Sequence, residues 1–155
     1  MPRPAEIHAA ASWRCVDLLS DQHLQAGEPA TFACWRAWLA NTPADAVFLL
    51  GDLFEVWVGD DVLDAPDSGD GERDFARRCV AVLRELGTRK PVFLIPGNRD
   101  FLLGDAFCEG AAATALADPC VLDWGPRRWL LSHGDAQCVD DGDYQRFRAQ
   151  VRSPQ

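Results

Sequence analysis

Residues 47–61 read VFLLGDLFEVWVGDD. Val47 to Leu50 form a four-residue apolar run, the length and composition of a short strand buried on both faces. Gly51 and Asp52 end it. Open α/β sheets bind ligands in the crevice beyond the carboxyl ends of their strands. A carboxylate held there, at the edge of a buried strand, is costly unless a cation compensates it. Asp52 is therefore read as the centre of a metal site, and the remaining ligands are sought in other loops.

Outward from this stretch the chain alternates apolar runs with helical periodicity. Trp13–Ser20 is predicted as a strand, with Asp17 as an awkward inner polar residue. Thr31–Leu39 is predicted as a helix with Phe32, Trp35, Trp38 and Leu39 on one face, closed by Asn41-Thr42-Pro43. Asp60–Asp74 is rich in Gly, Asp and Pro and reads as a long exposed loop. Phe75–Leu86 is predicted as a second helix ending at Gly87. Pro91–Pro96 (PVFLIP) reads as a third strand and Phe101–Gly110 as a short helix. Cys120–Trp124 and Arg127–Ser132 read as a hairpin around Gly125-Pro126, and Asp143–Val151 as a last helix. Residues 1–12 are expected to be a loose leader, and 13–155 one domain. The order of elements predicts a mostly parallel sheet with helices on its faces.

The bulk numbers bound the function. The chain has 155 residues, 48% of them hydrophobic and 25% charged, an ordinary globular composition. A net charge of −9 argues against a nucleic-acid partner. Six cysteines are scattered without CxxC pairs, so reduced thiols and a cytoplasmic setting are expected. No run approaches the ~18 apolar residues of a membrane span, and no signal-peptide pattern opens the chain.

Four polar segments each follow an apolar strand: Asp21-Gln22-His23, Gly51-Asp52, Gly97-Asn98-Arg99-Asp100 and His133-Gly134-Asp135. As ligand candidates they offer two carboxylates (Asp21, Asp52), an amide (Asn98) and two imidazoles (His23, His133). Mixed oxygen and nitrogen donors suit Mn, Fe or Zn rather than a thiolate zinc site. One carboxylate can bridge two cations, and a cation pair can clamp both oxygens of an in-line phosphoryl displacement. Arg99 is a planar donor suited to phosphate oxygens.

In that order, DxH, GDLFE…WxGDD, GNRDF and SHGD resemble the motifs of the calcineurin-like metallophosphoesterases, whose fold is a layered α/β/β/α sandwich. The longer forms, with Cys138, Asp140-Asp141 and Tyr144-Gln145-x-Phe147-Arg148, resemble the branch of that family acting in lipid A biosynthesis. The resemblance implies two Mn²⁺ ions or similar divalent cations. One would take Asp21, His23 and Asp52, the other Asp52, Asn98 and His133. Asn98, Arg99 and Asp141 would contact substrate, with Arg99 also stabilising charge in the reaction. The implied reaction is hydrolysis of the pyrophosphate of UDP-2,3-diacylglucosamine to UMP and 2,3-diacylglucosamine 1-phosphate by a cation-activated water. The implied setting is the cytoplasmic face of a Gram-negative inner membrane, with peripheral attachment.

The family pattern continues beyond position 155 with a helical cap and a GHTH motif that gives each metal one more histidine. The chain holds only His8, His23 and His133. The expectation is thus an incomplete form of the domain with little activity alone. An inactive remnant, or another calcineurin-like phosphoesterase, is the alternative.

Overall fold

The computed structural model describes residues 5–64 and 71–152. Seven strands form two sheets: β1 (Ala5–His8), β2 (Val16–Leu19), β3 (Ala46–Leu50), β4 (Val92–Ile95), β5 (Thr114–Ala115), β6 (Cys120–Trp124) and β7 (Arg127–Leu131). The larger sheet has the order β2-β3-β4-β5 and is parallel throughout. The smaller has the order β1-β6-β7, with β1 parallel and β7 antiparallel to β6.

The apolar runs explain the layering. Every residue of β4 is buried, as are Ala46 to Leu49 of β3, because both faces of this sheet are covered. Val47, Leu49, Val92 and Leu94 face α1 (Pro29–Asn41), α2 (Gly71–Gly87) and α3 (Asp105–Ala111). Ala46, Phe48, Phe93 and Ile95 face the small sheet, meeting Cys120, Leu122 and Leu131. Phe48 and Phe93 stack at 4.7 Å, and Trp13 meets both edge-on. Helix, sheet and sheet therefore lie in succession, the order expected of the α/β/β/α sandwich. A single parallel sheet with helices on both faces is not what forms. The hairpin builds its own sheet and takes the second face.

Several local expectations change for physical reasons. The stretch expected as a loose leader contains β1, which pairs along β6 from Ala5↔Cys120 to His8↔Asp123 and tucks Ile7 against the inter-sheet core. Asp17 is tolerated because β2 is an edge strand, and its carboxylate accepts the Thr42 hydroxyl. Helix α1 begins two residues early, at Pro29, where a missing N–H costs nothing. Its Trp35 is core, but Trp38 is 41% exposed. The acidic run is not simply a solvated loop. Within its described part, Asp60–Leu63 makes a 3₁₀ turn. The Asp60 carboxylate accepts the Trp57 indole N–H and the backbone N–H groups of Gly104 and Phe107, capping α3. Residues 65–70 of that run lie outside the described residues.

Candidate metal centre

The four expected segments meet at one end of the two sheets. Asp21 and His23 follow β2, Asp52 follows β3, Asn98 follows β4, and His133 follows β7 of the smaller sheet. The β2 and β3 exits stay paired past the strands. Asp21 N–H donates to Gly51 O at 3.0 Å, His23 N–H to Asp52 O at 3.0 Å, and Leu24 N–H to Leu53 O at 2.9 Å.

The backbone here is unusual. Asp21 (φ 55°), His23 (φ 48°) and Asp52 (φ 52°) are three of the four non-glycine residues with positive φ among the described residues. That conformation is sparsely populated and collects at functional sites. Two glycines make room. Gly51 has φ 91°, and a Cβ there would stand 2.3 Å from His133 Nδ1. A Cβ on Gly97 would stand 2.1 Å from Asp52 Oδ1.

The donor atoms converge. Asp52 is 3% exposed. Its Oδ2 lies 3.8 Å from His23 Nε2, and its Oδ1 lies 3.6 Å from His133 Nε2. His23 Nε2 is also 3.9 Å from Asp21 Oδ1. On the other side, His133 Nε2 is 2.9 Å from Asn98 Oδ1. Donors sharing one ion at about 2.1 Å sit roughly 3–4 Å apart, so these separations fit two adjoining cation sites.

The protonation logic agrees. His133 Nδ1 faces the Leu50 carbonyl at 2.9 Å, which can only accept, so Nδ1 carries the proton. In the neutral ring, Nε2 is then left facing the Asn98 side-chain amide, the other candidate donor on this side. His23 is set up in the same way: Nδ1 lies 2.8 Å from Glu55 Oε2, leaving Nε2 turned to Asp21 and Asp52. A carboxylate behind an imidazole fixes the tautomer and the orientation of the ring.

A second set of contacts holds the loops in place. Asp100 is fully buried and accepts four backbone N–H groups: Gly97 at 2.7 Å and Asp52 at 3.3 Å on Oδ1, Leu53 at 2.7 Å and Phe54 at 3.3 Å on Oδ2. Burial pushes its carboxyl pKa up, and the Asp52 charge adds to this, against the pull of the backbone donors. Arg99 N–H donates to Asp52 Oδ1 at 2.9 Å, while its guanidinium pairs with Glu55 Oε1 at 3.2 Å and stays half exposed. Asp141 caps α4 (Gly142–Val151) through the Tyr144 N–H. It also lines the same cleft as Asp21, Asn98, His133 and Tyr144.

All seven residues singled out from the sequence thus gather at one end of the fold. Glu55 was overlooked as a partner of both His23 and Arg99. Its position inside GDLFE was visible, but nothing local shows that its side chain reaches 32 residues back.

The sequence that builds this arrangement has relatives among known proteins. The chain is 41% identical over 147 residues to a UDP-2,3-diacylglucosamine hydrolase of Chromobacterium violaceum, covering 90% of this chain and 56% of that protein. It is 42% identical over 138 residues to the enzyme of that name in Stenotrophomonas maltophilia, covering 88% of this chain and 52% of that protein. Along most of its length the chain is similar to UDP-2,3-diacylglucosamine hydrolases. It spans about half the length of these curated relatives. No family model matches it.

Proposed function

We propose that the chain carries part of a two-cation phosphohydrolase site whose substrate is UDP-2,3-diacylglucosamine. The observation that carries this is the orientation of Asp52: one carboxylate oxygen faces His23 and the other faces His133. Asp21, His23 and Asp52 would hold one cation, and Asp52, Asn98 and His133 the second. Manganese suits the mixture of oxygen and imidazole donors. When bound, the cations would neutralise phosphate charge and lower the pKa of a water so that it attacks near neutral pH.

The residues of the chain do the rest. Asp52 and Asp21 offer carboxylate charge, and Glu55 and the Leu50 carbonyl fix which nitrogen each imidazole presents. Arg99, tethered by Glu55 and half exposed, is placed to take phosphate oxygens as charge grows on them. Asp141 lines the cleft and would meet the nucleotide part of the substrate. In the reaction, a water oxygen bonds to the α-phosphorus of the UDP group. The bond to the bridging oxygen breaks, giving UMP and 2,3-diacylglucosamine 1-phosphate. The similarity to enzymes named for this substrate supports the choice. None of the described helices is long and apolar enough to cross a membrane. The lipid substrate would be met at a membrane surface.

The test is hydrolysis of UDP-2,3-diacylglucosamine with added Mn²⁺ by the 155-residue chain, and by the same chain co-expressed with the C-terminal half of a longer relative. Activity that disappears in Asp52→Ala and His133→Ala supports the reading. Activity indifferent to both substitutions sinks it. Cleavage of a dinucleoside polyphosphate or a phosphopeptide in preference to the lipid would reassign the substrate.

A further inference from the structure

The second proposed cation site draws its donors from different sheets. Asn98 follows β4 of the parallel sheet, and His133 follows β7 of the smaller one. Nothing in either strand ladder sets the distance between them. A link that does so comes from the end of α4.

Arg152 caps the C-terminus of α4. Its Nη2 donates to the carbonyl of Gly97, the residue before Asn98, at 2.8 Å. The same nitrogen lies 3.2 Å from Asp135 Oδ2, two residues after His133. One guanidinium nitrogen thus ties the two ligand-bearing loops together. The Arg152 guanidinium also packs over the ring of Phe101, the residue after the Gly97–Asp100 loop, at 5.8 Å.

Asp135 is a firm anchor for this link. It is 6% exposed. Its Oδ2 also accepts Tyr144 OH at 2.5 Å and Arg148 Nε at 2.8 Å, and its backbone carbonyl accepts Gln145 Nε2 at 2.8 Å. These contacts fasten α4 to the His133 loop, so Arg152 extends from a fixed base. Two guanidinium groups and a phenol thus converge on one buried carboxylate, mostly on Oδ2.

We infer that Arg152, anchored by Asp135, is a positioning residue that holds the Asn98 and His133 donors in register. Its connection to a cation rests on the reading proposed above. Arg152 touches neither donor atom directly. It acts by fixing the peptide before Asn98 relative to the loop that carries His133, and its contacts with Gly97, Asp135 and Phe101 include none to the Asp21–His23 segment.

Two readouts test this on the 155-residue chain. The first is metal-free: imidazole nitrogen NMR with ¹⁵N-histidine in Arg152→Ala, with Arg146→Ala on the exposed side of α4 as control. The His133 ring signals are expected to shift in Arg152→Ala and not in Arg146→Ala, while those of His23 stay in place. The second is Mn²⁺ titration by calorimetry. Arg152→Ala is expected to weaken binding about tenfold in a His23→Ala background, and to change nothing in a His133→Ala background. Arg152→Lys, which keeps a cationic donor, should recover part of the loss. Equal effects on both histidines, or equal weakening in both backgrounds, overturns the inference in favour of general loosening. Wild-type chain that takes up no Mn²⁺ at millimolar concentration sinks the cation reading instead, and the His133 signals then decide the role of Arg152 alone.

Discussion

Glu55 Oε2 stands 2.8 Å from His23 Nδ1, and this contact decides which nitrogen of the ring faces Asp21 and Asp52. The other Glu55 oxygen holds Arg99. One carboxylate therefore orients both the proposed metal donor His23 and the proposed phosphate donor Arg99. Glu55→Ala is expected to lower Mn²⁺ affinity by about 10- to 100-fold. Glu55→Gln, which can still accept from Nδ1–H, should lose less. Calorimetric titration measures both, and affinity unchanged in Glu55→Ala would refute the role.

Asp100 is expected to matter more to stability than to chemistry. Removing it leaves four buried backbone N–H groups without their acceptor, each worth about 1–3 kcal/mol when unsatisfied. Asp100→Ala should lower unfolding free energy by at least about 3 kcal/mol, a large part of a domain's total. Asp100→Asn offers only one acceptor oxygen and sets its NH₂ against peptide N–H groups, so it should be nearly as damaging. Urea denaturation decides. A loss under about 1 kcal/mol in both variants would mean that the loops hold themselves.

Gly97 separates local crowding from backbone strain, because it needs space rather than an unusual φ. A methyl group there would collide with Asp52 Oδ1 at 2.1 Å. Gly97→Ala is expected to displace Asp52 and abolish tight Mn²⁺ binding, with most of the circular dichroism signal kept. Gly27→Ala, with nothing within 4 Å of the added methyl, should leave both unchanged. Normal metal uptake by Gly97→Ala would contradict the close approach.

The acid response of the fold should pass through Asp135. Burial opposes its charge, but the hydrogen bonds from Arg148 and Tyr144 and the nearby Arg152 outweigh burial and hold its pKa below the ordinary 3.8. A carboxyl depressed in the folded state stabilises the fold above its unfolded pKa, and that contribution fades as pH falls through the lower, folded value. Asp135→Asn should therefore be less stable than wild type at pH 6, with the gap closing progressively below about pH 4. Thermal unfolding across that range checks the sign. A gap that widens in acid would assign the stabilisation to another group.

Much of this arrangement could be read from the chain. VFLL and PVFLIP behave as buried parallel strands because their apolar runs leave no polar face to place. The loops after them carry the donors because strand exits on one sheet converge. What could not be read depends on contacts distant in sequence. β1 exists because Ala5–His8 finds β6 some 115 residues later, and its short, mixed composition gives no local sign of that. The hairpin was visible, but not its choice to form a separate sheet. Trp38 looks like core at helical spacing, yet α1 turns only Trp35 and Leu39 fully inward. Asp60 looked like part of an acidic loop because capping α3 requires Gly104, 44 residues away. Asp141, expected to contact substrate, caps α4 through the Tyr144 N–H and also lines the cleft.

Asp21, His23 and Asp52 all hold left-handed backbone conformations. Each costs an L-residue about 1–2 kcal/mol that glycine would not incur. Replacement by glycine at any of the three would relieve the chain and remove a donor in the same step. Drift toward greater thermal robustness would therefore run directly against the proposed metal binding at these positions. A descendant freed from catalytic selection would be expected to lose these three side chains early, while the strands beneath them persist.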